Sequence, residues 1–201
     1  MITFEELSFS YGNMNEEQLK SLNLQVKRGE FVLLCGRSAC GKTTATKCIN
    51  GLIPHFSEGK YSGAVFVKGK EIGKTPIYKI SEDVGSVFQN PKTQFFNLDS
   101  DSELVFGMEN LGIPPEKIND RVKDVVHDLD IESLLGRSVF DLSGGEKQVL
   151  ALASVYAVNP DIYVLDEPTA NIDKEGIDRL HEILVKLKQM GKTIVISEHR
   201  L

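Results

Sequence analysis

The sequence predicts a mixed α/β fold interrupted by two insertions: a small β element near the N-terminus and a helical subdomain at roughly 91–158. Three observations carry this expectation. The first quarter alternates short apolar runs with turn glycines and ends in a glycine-rich loop that opens a helical pattern. Two later runs, IYVLDE at 162–167 and KTIVIS at 192–197, are apolar enough to be strands buried on both faces. Between these regions, residues 101–158 read as helices.

In chain order, ITFEELSFSY (2–11), LNLQVKRGE (22–30) and FVLLCG (31–36) read as strands, with Gly12 and Gly29 in turns. Lys42 to Asn50 reads as a helix. GAVFV at 63–67, with its turn at Lys68-Gly69-Lys70, gives a hairpin signal, and VGSVFQ at 84–89 follows before the pattern changes. DSELVFGMENLGI (101–113) and PPEKINDRVKDVVHDL (114–129) predict helices, the second started by Pro114 and Pro115. A third helix is expected from near Gly144 to about Val158. Residues 174–190 place Ile177, Leu180, Ile183, Leu184, Leu187 and Met190 at helical spacing, the pattern of a helix packed on a sheet.

Composition narrows the function classes. The 201 residues are 41% hydrophobic and 26% charged, so the chain buries a real core without disulfides or a structural metal. With Lys+Arg 23 against Asp+Glu 29 the net charge is -6, opposite in sign to a surface built to grip nucleic acid. No run approaches the roughly 18 apolar residues that a membrane span needs. The acidic N-terminus MITFEELSFSYG carries no secretion pattern, so no anchor or export signal is expected within the chain. Cys35, Cys40 and Cys48 are odd in number and lack metal-ligand spacing, which fits a reducing, cytosolic compartment.

The strongest local signal is GRSACGKTT at 36–44, which matches G-x-x-x-x-G-K-[ST] through Gly36, Gly41, Lys42 and Thr43. Its glycines let the backbone of Gly36, Arg37, Ser38, Ala39, Cys40 and Gly41 turn its N–H groups toward phosphate oxygens. The following helix N-terminus, at Lys42, Thr43 and Thr44, adds its dipole. Lys42 supplies charge to the outer phosphates, and the Thr43 hydroxyl is suited to ligate Mg²⁺. Cys40 reads as a small residue tolerated in the loop.

IYVLDE places Asp166 and Glu167 at the carboxyl end of a central strand, the edge where open α/β sheets bind ligands. Asp166 is suited to hold Mg²⁺, directly or through water, and Glu167 to polarise an attacking water as general base. LSGGEKQ at 142–148 sets Ser143, Gly144 and Gly145 at a helix start. That is an N-cap, and also an anion site of free N–H groups and a hydroxyl.

The phosphate loop, LSGGEKQ, IYVLDE and His199 occur in that order, and together they resemble the ATP-binding-cassette (ABC) ATPase family. The resemblance implies a phosphate-loop NTPase with a RecA-like core, an antiparallel β subdomain and an inserted α-helical subdomain. It spans essentially the whole chain as one cassette, 1–201. The nucleotide-binding core with its β subdomain is expected at 1–90 and 159–201, and the helical signature subdomain at 91–158. Such cassettes continue past the switch histidine, so a C-terminal truncation is expected. The resemblance further implies that Tyr11 stacks on adenine and that Gln89 in VFQNP approaches Mg²⁺ and the attacking water and links to a transport partner. His199 in ISEHRL would contact the γ-phosphate, and Asp173 in TANID would join two protomers. His55, His127 and His181 lack such context and read as structural. Glu146 where Gln is commonest, Val149 where Arg often follows, Ala39 in place of a frequent glycine, and ANID for the commoner SALD are departures from the family pattern.

VFQNPKTQFFNLDSDSELVFGMENLGIP (87–114), with Gln94 after the Q-loop, is similar to energy-coupling-factor (ECF) transporter ATPases, which drive uptake of vitamins and of nickel or cobalt. This resemblance implies ATP and Mg²⁺ as cofactors and a second cassette as partner, identical, similar or fused. It also implies a transmembrane coupling subunit docking near Gln89 and the following helix, and a peripheral position on the inner face of the cell membrane. Three rivals remain open: a soluble ABC ATPase acting in DNA repair or translation, a nucleotide-gated module without turnover, and a different phosphate-loop enzyme such as a small-molecule kinase.

Overall fold

A computed structural model of the chain describes residues 1–12, 16–170 and 172–199. It divides into two compact units: Met1–Ser86 with Asp161–Glu167 and Lys188–Leu201, and Val87–Pro160 with Pro168–Leu187.

The first unit holds two sheets. In one, β1 (Ile2–Tyr11) pairs antiparallel with β2 (Leu19–Val26) and with β4 (Gly59–Val67). The short β5 (Lys70–Glu71) closes the edge as a hairpin with β4. The other sheet runs in the order β3 (Phe31–Cys35), β8 (Thr193–Glu198), β7 (Ile162–Asp166), β6 (Val84–Val87). Its β3, β8 and β7 are parallel. Every residue of β7 is buried, as its continuous apolar run predicts.

Helix α1 (Lys42–Ile49) contributes Ala45, Cys48 and Ile49 to a core shared with Ile2, Phe4, Phe9, Val26, Val67, Val164 and Val195. Burial pushes the Cys48 thiol up to about 12, so it is an inert packing residue. Two short helices, α2 (Leu52–His55) and α3 (Ile77–Ser81), were not expected from periodicity, which needs more turns than they have. The His55 ring is bonded to the Ile72 carbonyl at 2.9 Å, a structural role.

The second unit is helical: α4 (Ser100–Asn110), α5 (Pro115–Leu129), α6 (Gly144–Val158) and most of α7 (Lys174–Gln189). The expected 101–113 helix stops at Asn110 because Gly112 takes φ 68 and Pro114 disfavours a helical residue before it. Tyr156 ties three helices together. Its ring lies 4.7 Å from the Arg121 guanidinium and its hydroxyl donates to Asp128, which also pairs with Lys186 at 2.8 Å. Burial and Asp128 push the Tyr156 phenol up to about 12.

The expected strand 22–30 lies instead at Leu19–Val26, because Lys27–Glu30 close a turn in which the Glu30 carboxylate accepts from the Lys27 N–H at 2.8 Å.

Candidate functional site

The phosphate loop sits between β3 and α1, with Arg37, Ser38, Ala39 and Cys40 exposed and Gly36 half-buried. Gly41 takes φ 96 and caps the helix. A Cβ there would stand 2.6 Å from the Gln18 carbonyl oxygen, so only glycine lets the loop pass beside the start of β2. Ala39 takes φ 62, which explains why glycine is frequent at that position: a left-handed alanine costs about 1–2 kcal/mol.

Lys42 is 7% exposed. Its ammonium donates to the carbonyls of Gly36 (2.9 Å) and Arg37 (3.1 Å) and to His199 Nδ1 (3.3 Å), and lies 4.0 Å from Glu167 Oε1. His199 Nε2 stands 2.5 Å from that same carboxylate oxygen. Lys42, Glu167 and His199 therefore form one closed cluster at the mouth of the loop. Glu167 leaves β7 with φ 47, a left-handed conformation that turns its carboxylate away from the strand direction.

Asp166 accepts from the Thr43 hydroxyl at 3.0 Å and from the Ser197 hydroxyl at 2.5 Å. Ser197 also receives the Glu167 N–H, through its carbonyl at 3.0 Å and its hydroxyl at 3.2 Å. Sequence reasoning missed Ser197. Its only signal is a small hydroxyl residue at the end of a buried strand. A hydroxyl beside a carboxylate is an oxygen donor set for a hard divalent cation, which would keep most of its shell for water and phosphate. Among the described residues no group of three or more His, Cys, Asp or Glu side chains converges as a metal site.

Tyr11 ends β1 beside the same helix. Its hydroxyl lies 3.3 Å from Thr44 Oγ1, and the Lys47 ammonium lies 5.8 Å from its ring centroid. The ring is half-buried, with an edge-to-face contact to Phe9 at 4.8 Å.

In the second unit, Ser143 caps α6 and Glu146 completes a capping box. The Ser143 N–H donates to Glu146 Oε2 at 2.6 Å, and Arg137 grips the other carboxylate oxygen at 2.5 Å. The Ser143 N–H and then Arg137 hold the Glu146 carboxyl below its ordinary range. This explains the departure at Glu146: the acid locks the helix start, as a glutamine also could, and in addition forms an ion pair with Arg137, which a neutral glutamine cannot. Ser143 and Gly144 are exposed and Gly145 is buried. Gln89 is exposed just beyond β6 and lines, with Asn90, Lys92, Gly144 and Gln148, an open pocket of about 690 Å³ within this unit. Gln94 Oε1 accepts from the Phe88 N–H at 3.2 Å and so pins the segment carrying Gln89. Buried Glu103 accepts from the N–H groups of Phe96 (3.0 Å) and Asn97 (2.9 Å). It fixes a loop whose Phe96 and Leu98 are 75% and 70% exposed. Phe140, 74% exposed, comes from the adjacent segment, where the Val139 N–H donates to the Leu98 carbonyl at 2.9 Å.

Thus the first unit gathers Tyr11, the phosphate loop, Asp166, Glu167 and His199, and the second carries Gln89 and the Ser143–Gly145 turn. No helix among the described residues is long and apolar enough to cross a membrane.

Comparison with known proteins follows the same lines. A family model described as ABC transporter matches residues 19–170. A Treponema denticola protein, provisionally named an ABC transporter ATP-binding protein, is 54% identical over the whole chain, which covers 41% of that protein. A Methanosarcina mazei relative with the same provisional name is 41% identical, again over the whole chain and 34% of its own length. The chain therefore spans well under half the length of these curated relatives. Among solved structures, CbiO1 from Clostridium perfringens, part of the ABC transporter complex CbiONQ, superposes with TM-score 0.85 at 32% identity. The match covers 99% of this chain and 78% of CbiO1. The MJ0796 cassette, solved as a dimer bound to ADP and phosphate, matches with TM-score 0.81 at 26% identity over 100% of this chain and 88% of its own.

Proposed function

The chain belongs to the ABC transporter family, and from that premise we propose that it is the ATP-hydrolysing cassette of a membrane transporter, of the ECF importer type that takes up a vitamin, a vitamin precursor or a metal ion. The observation that carries the ATPase reading is the Lys42–His199–Glu167 cluster at the phosphate loop, beside the Thr43–Asp166 pair. Likeness to CbiO1, which belongs to a CbiONQ complex, supports the ECF type.

ATP lies with its phosphates on the 36–44 loop and its base against Tyr11. Lys42 trades its two neutral carbonyl acceptors for phosphate oxygens, a stronger, charge-assisted partnership. Glu167 takes a proton from the attacking water as the new oxygen–γ-phosphorus bond forms and the bridging bond to the β-phosphate breaks. His199 orients that carboxylate and contacts the γ-phosphate. Thr43 and Asp166 would hold Mg²⁺, which neutralises charge building on the β- and γ-oxygens when bound. Ser197 keeps Asp166 and the Glu167 backbone in register.

One cassette carries one phosphate loop and one Ser143–Gly145 turn, so a second cassette, identical, similar or fused, completes the clamp by closing its helix start over this γ-phosphate. A transmembrane coupling subunit docks near Gln89 and α4, where Phe96, Leu98 and Phe140 expose apolar surface in the second unit. The cassette would then sit on the cytoplasmic face of the membrane. Nucleic acid is not expected as a partner, given the net charge of -6.

The test is capture of the tagged Glu167→Gln protein with Mg·ATP from solubilised membranes and cytosol of its source. A polytopic coupling protein with a small membrane binding subunit is the expected catch. Ribosomes or DNA-repair proteins without a membrane partner would overturn the transporter reading and leave the ATP chemistry standing.

A further inference from the structure

The starts of α6 and α7 touch backbone to backbone through two glycines. An added Cβ on Gly176 would stand 3.0 Å from Gly145 Cα and 3.1 Å from Asp173 Oδ1, and one on Gly145 would stand 3.2 Å from Gly176 Cα. Neither glycine needs a left-handed backbone, since neither has a positive φ. Close approach alone requires them.

Two helix N-termini, each with a partial positive charge, repel when they meet. Asp173 lies where it offsets this. Its Oδ1 accepts from the Gly176 N–H at 2.9 Å, and an added Gly145 Cβ would stand 3.4 Å from the same oxygen. The α7 cap thus shields the first turn of α6 as well. The capping box at Ser143 and Glu146 fixes the internal shape of that turn. Its position is set by contact with α7.

We propose that Gly176 is a positioning residue for ATP hydrolysis: by admitting Gly145 to backbone contact it sets where the Gly144 and Gly145 N–H groups stand. This rests on the reading that the turn closes over ATP held by a second cassette. Gly176 is buried and lies outside the phosphate loop, so its effect falls on closure and not on the first binding of nucleotide. Replacing it with alanine forces the α6 start aside by a few tenths of an ångström, because the nearest obstructing atom, Gly145 Cα, is backbone and the next, Asp173 Oδ1, is held by its bond to the Gly176 N–H.

The experiment uses the natural polypeptide that carries this cassette. Gly176→Ala should lower kcat about tenfold, on the scale by which small misplacements slow a reaction, with KM for ATP within about twofold. In a Glu167→Gln background it should cut retention of radiolabelled ATP through rapid gel filtration by a similar factor. Gly107→Ala is the matched lesion. Its methyl would meet Val158 Cγ2 at 2.7 Å in the same unit, far along α6 from its start. It should lower Tm without splitting kcat from KM. Equal falls in kcat for the two variants, an unchanged kcat in Gly176→Ala, or its failure to fold would each overturn the proposal by making Gly176 a stability residue or a spectator. If Glu167→Gln alone retains no ATP, the two-cassette reading itself falls, and this role for Gly176 with it.

Discussion

His199 is held between Glu167 and Lys42, its Nε2 2.5 Å from the carboxylate and its Nδ1 3.3 Å from the ammonium. An ammonium can only donate, so the ring accepts at Nδ1 and carries its proton on Nε2, which donates to Glu167. The carboxylate is thereby aimed by a ring anchored to the phosphate loop. Removing the ring leaves Glu167 with Lys42 as its cationic neighbour, 4.0 Å away. His199→Ala should lower kcat by roughly 10²-fold, the cost of a mis-aimed group, and ATP affinity by no more than about tenfold, the worth of one hydrogen bond to the γ-phosphate. Steady-state ATPase kinetics beside an equilibrium binding titration check both halves.

Glu167→Gln should lower kcat by roughly 10²–10⁴, the usual worth of a general base. Glutamine keeps the shape and can still pair with His199, so Tm should hold and ATP should accumulate unhydrolysed. Near-normal turnover in a single-turnover assay would remove Glu167 from the mechanism.

Lys42→Ala should weaken ATP binding by roughly 10–150-fold, the equivalent of the 1.5–3 kcal/mol carried by a hydrogen bond to a charged group. It also leaves the Gly36 and Arg37 carbonyls without their present donor. Fluorescence titration with a nucleotide analogue reads the loss directly.

Tyr11 offers a separation of functions. Its hydroxyl contact with Thr44 is long, 3.3 Å, and half-buried, so Tyr11→Phe should bind ATP within about twofold. Tyr11→Ala removes the ring and should cost about tenfold, on the scale of 0.5–1.5 kcal/mol for an aromatic contact. Equal losses in the two variants would shift the role from the ring to the hydroxyl.

Glu146 makes stability depend on pH. Its folded carboxyl titrates below the ordinary value of 4.5, held there first by the Ser143 N–H and then by Arg137. The contribution is therefore complete above about pH 4.5 and is lost as pH falls through the folded value. Glu146→Gln keeps an acceptor for the Ser143 N–H but loses the partly exposed ion pair with Arg137, so it should cost up to about 1 kcal/mol at neutral pH, and should flatten the fall in Tm on acidification below that point. A parallel acid profile in wild type and variant would show that the Glu146 charge adds nothing to stability.

Much of this arrangement could be read from the chain. Gly36, Gly41, Lys42 and Thr43 declare themselves because a loop that wraps a phosphate needs backbone freedom, a cation and a hydroxyl at set spacing. IYVLDE declares itself because a strand buried on both faces has no polar positions until it ends. The α2 and α3 helices stayed hidden, being too short to show a period. Ser197 stayed hidden because a serine closing a strand looks the same whether or not a carboxylate waits across the sheet.

The sequence by itself determined which groups exist and which element ends carry them, since both follow from local spacing. Folding decided which of those ends meet. The parallel register of β7 on β8 sets Asp166 opposite Ser197 and brings Glu167 to His199. Two unremarkable glycines, 31 positions apart by number, become a contact only because two helix starts converge on Asp173. These are long-range pairings that cost chain entropy to close and are held by packing of the whole unit, so no local stretch of sequence displays them.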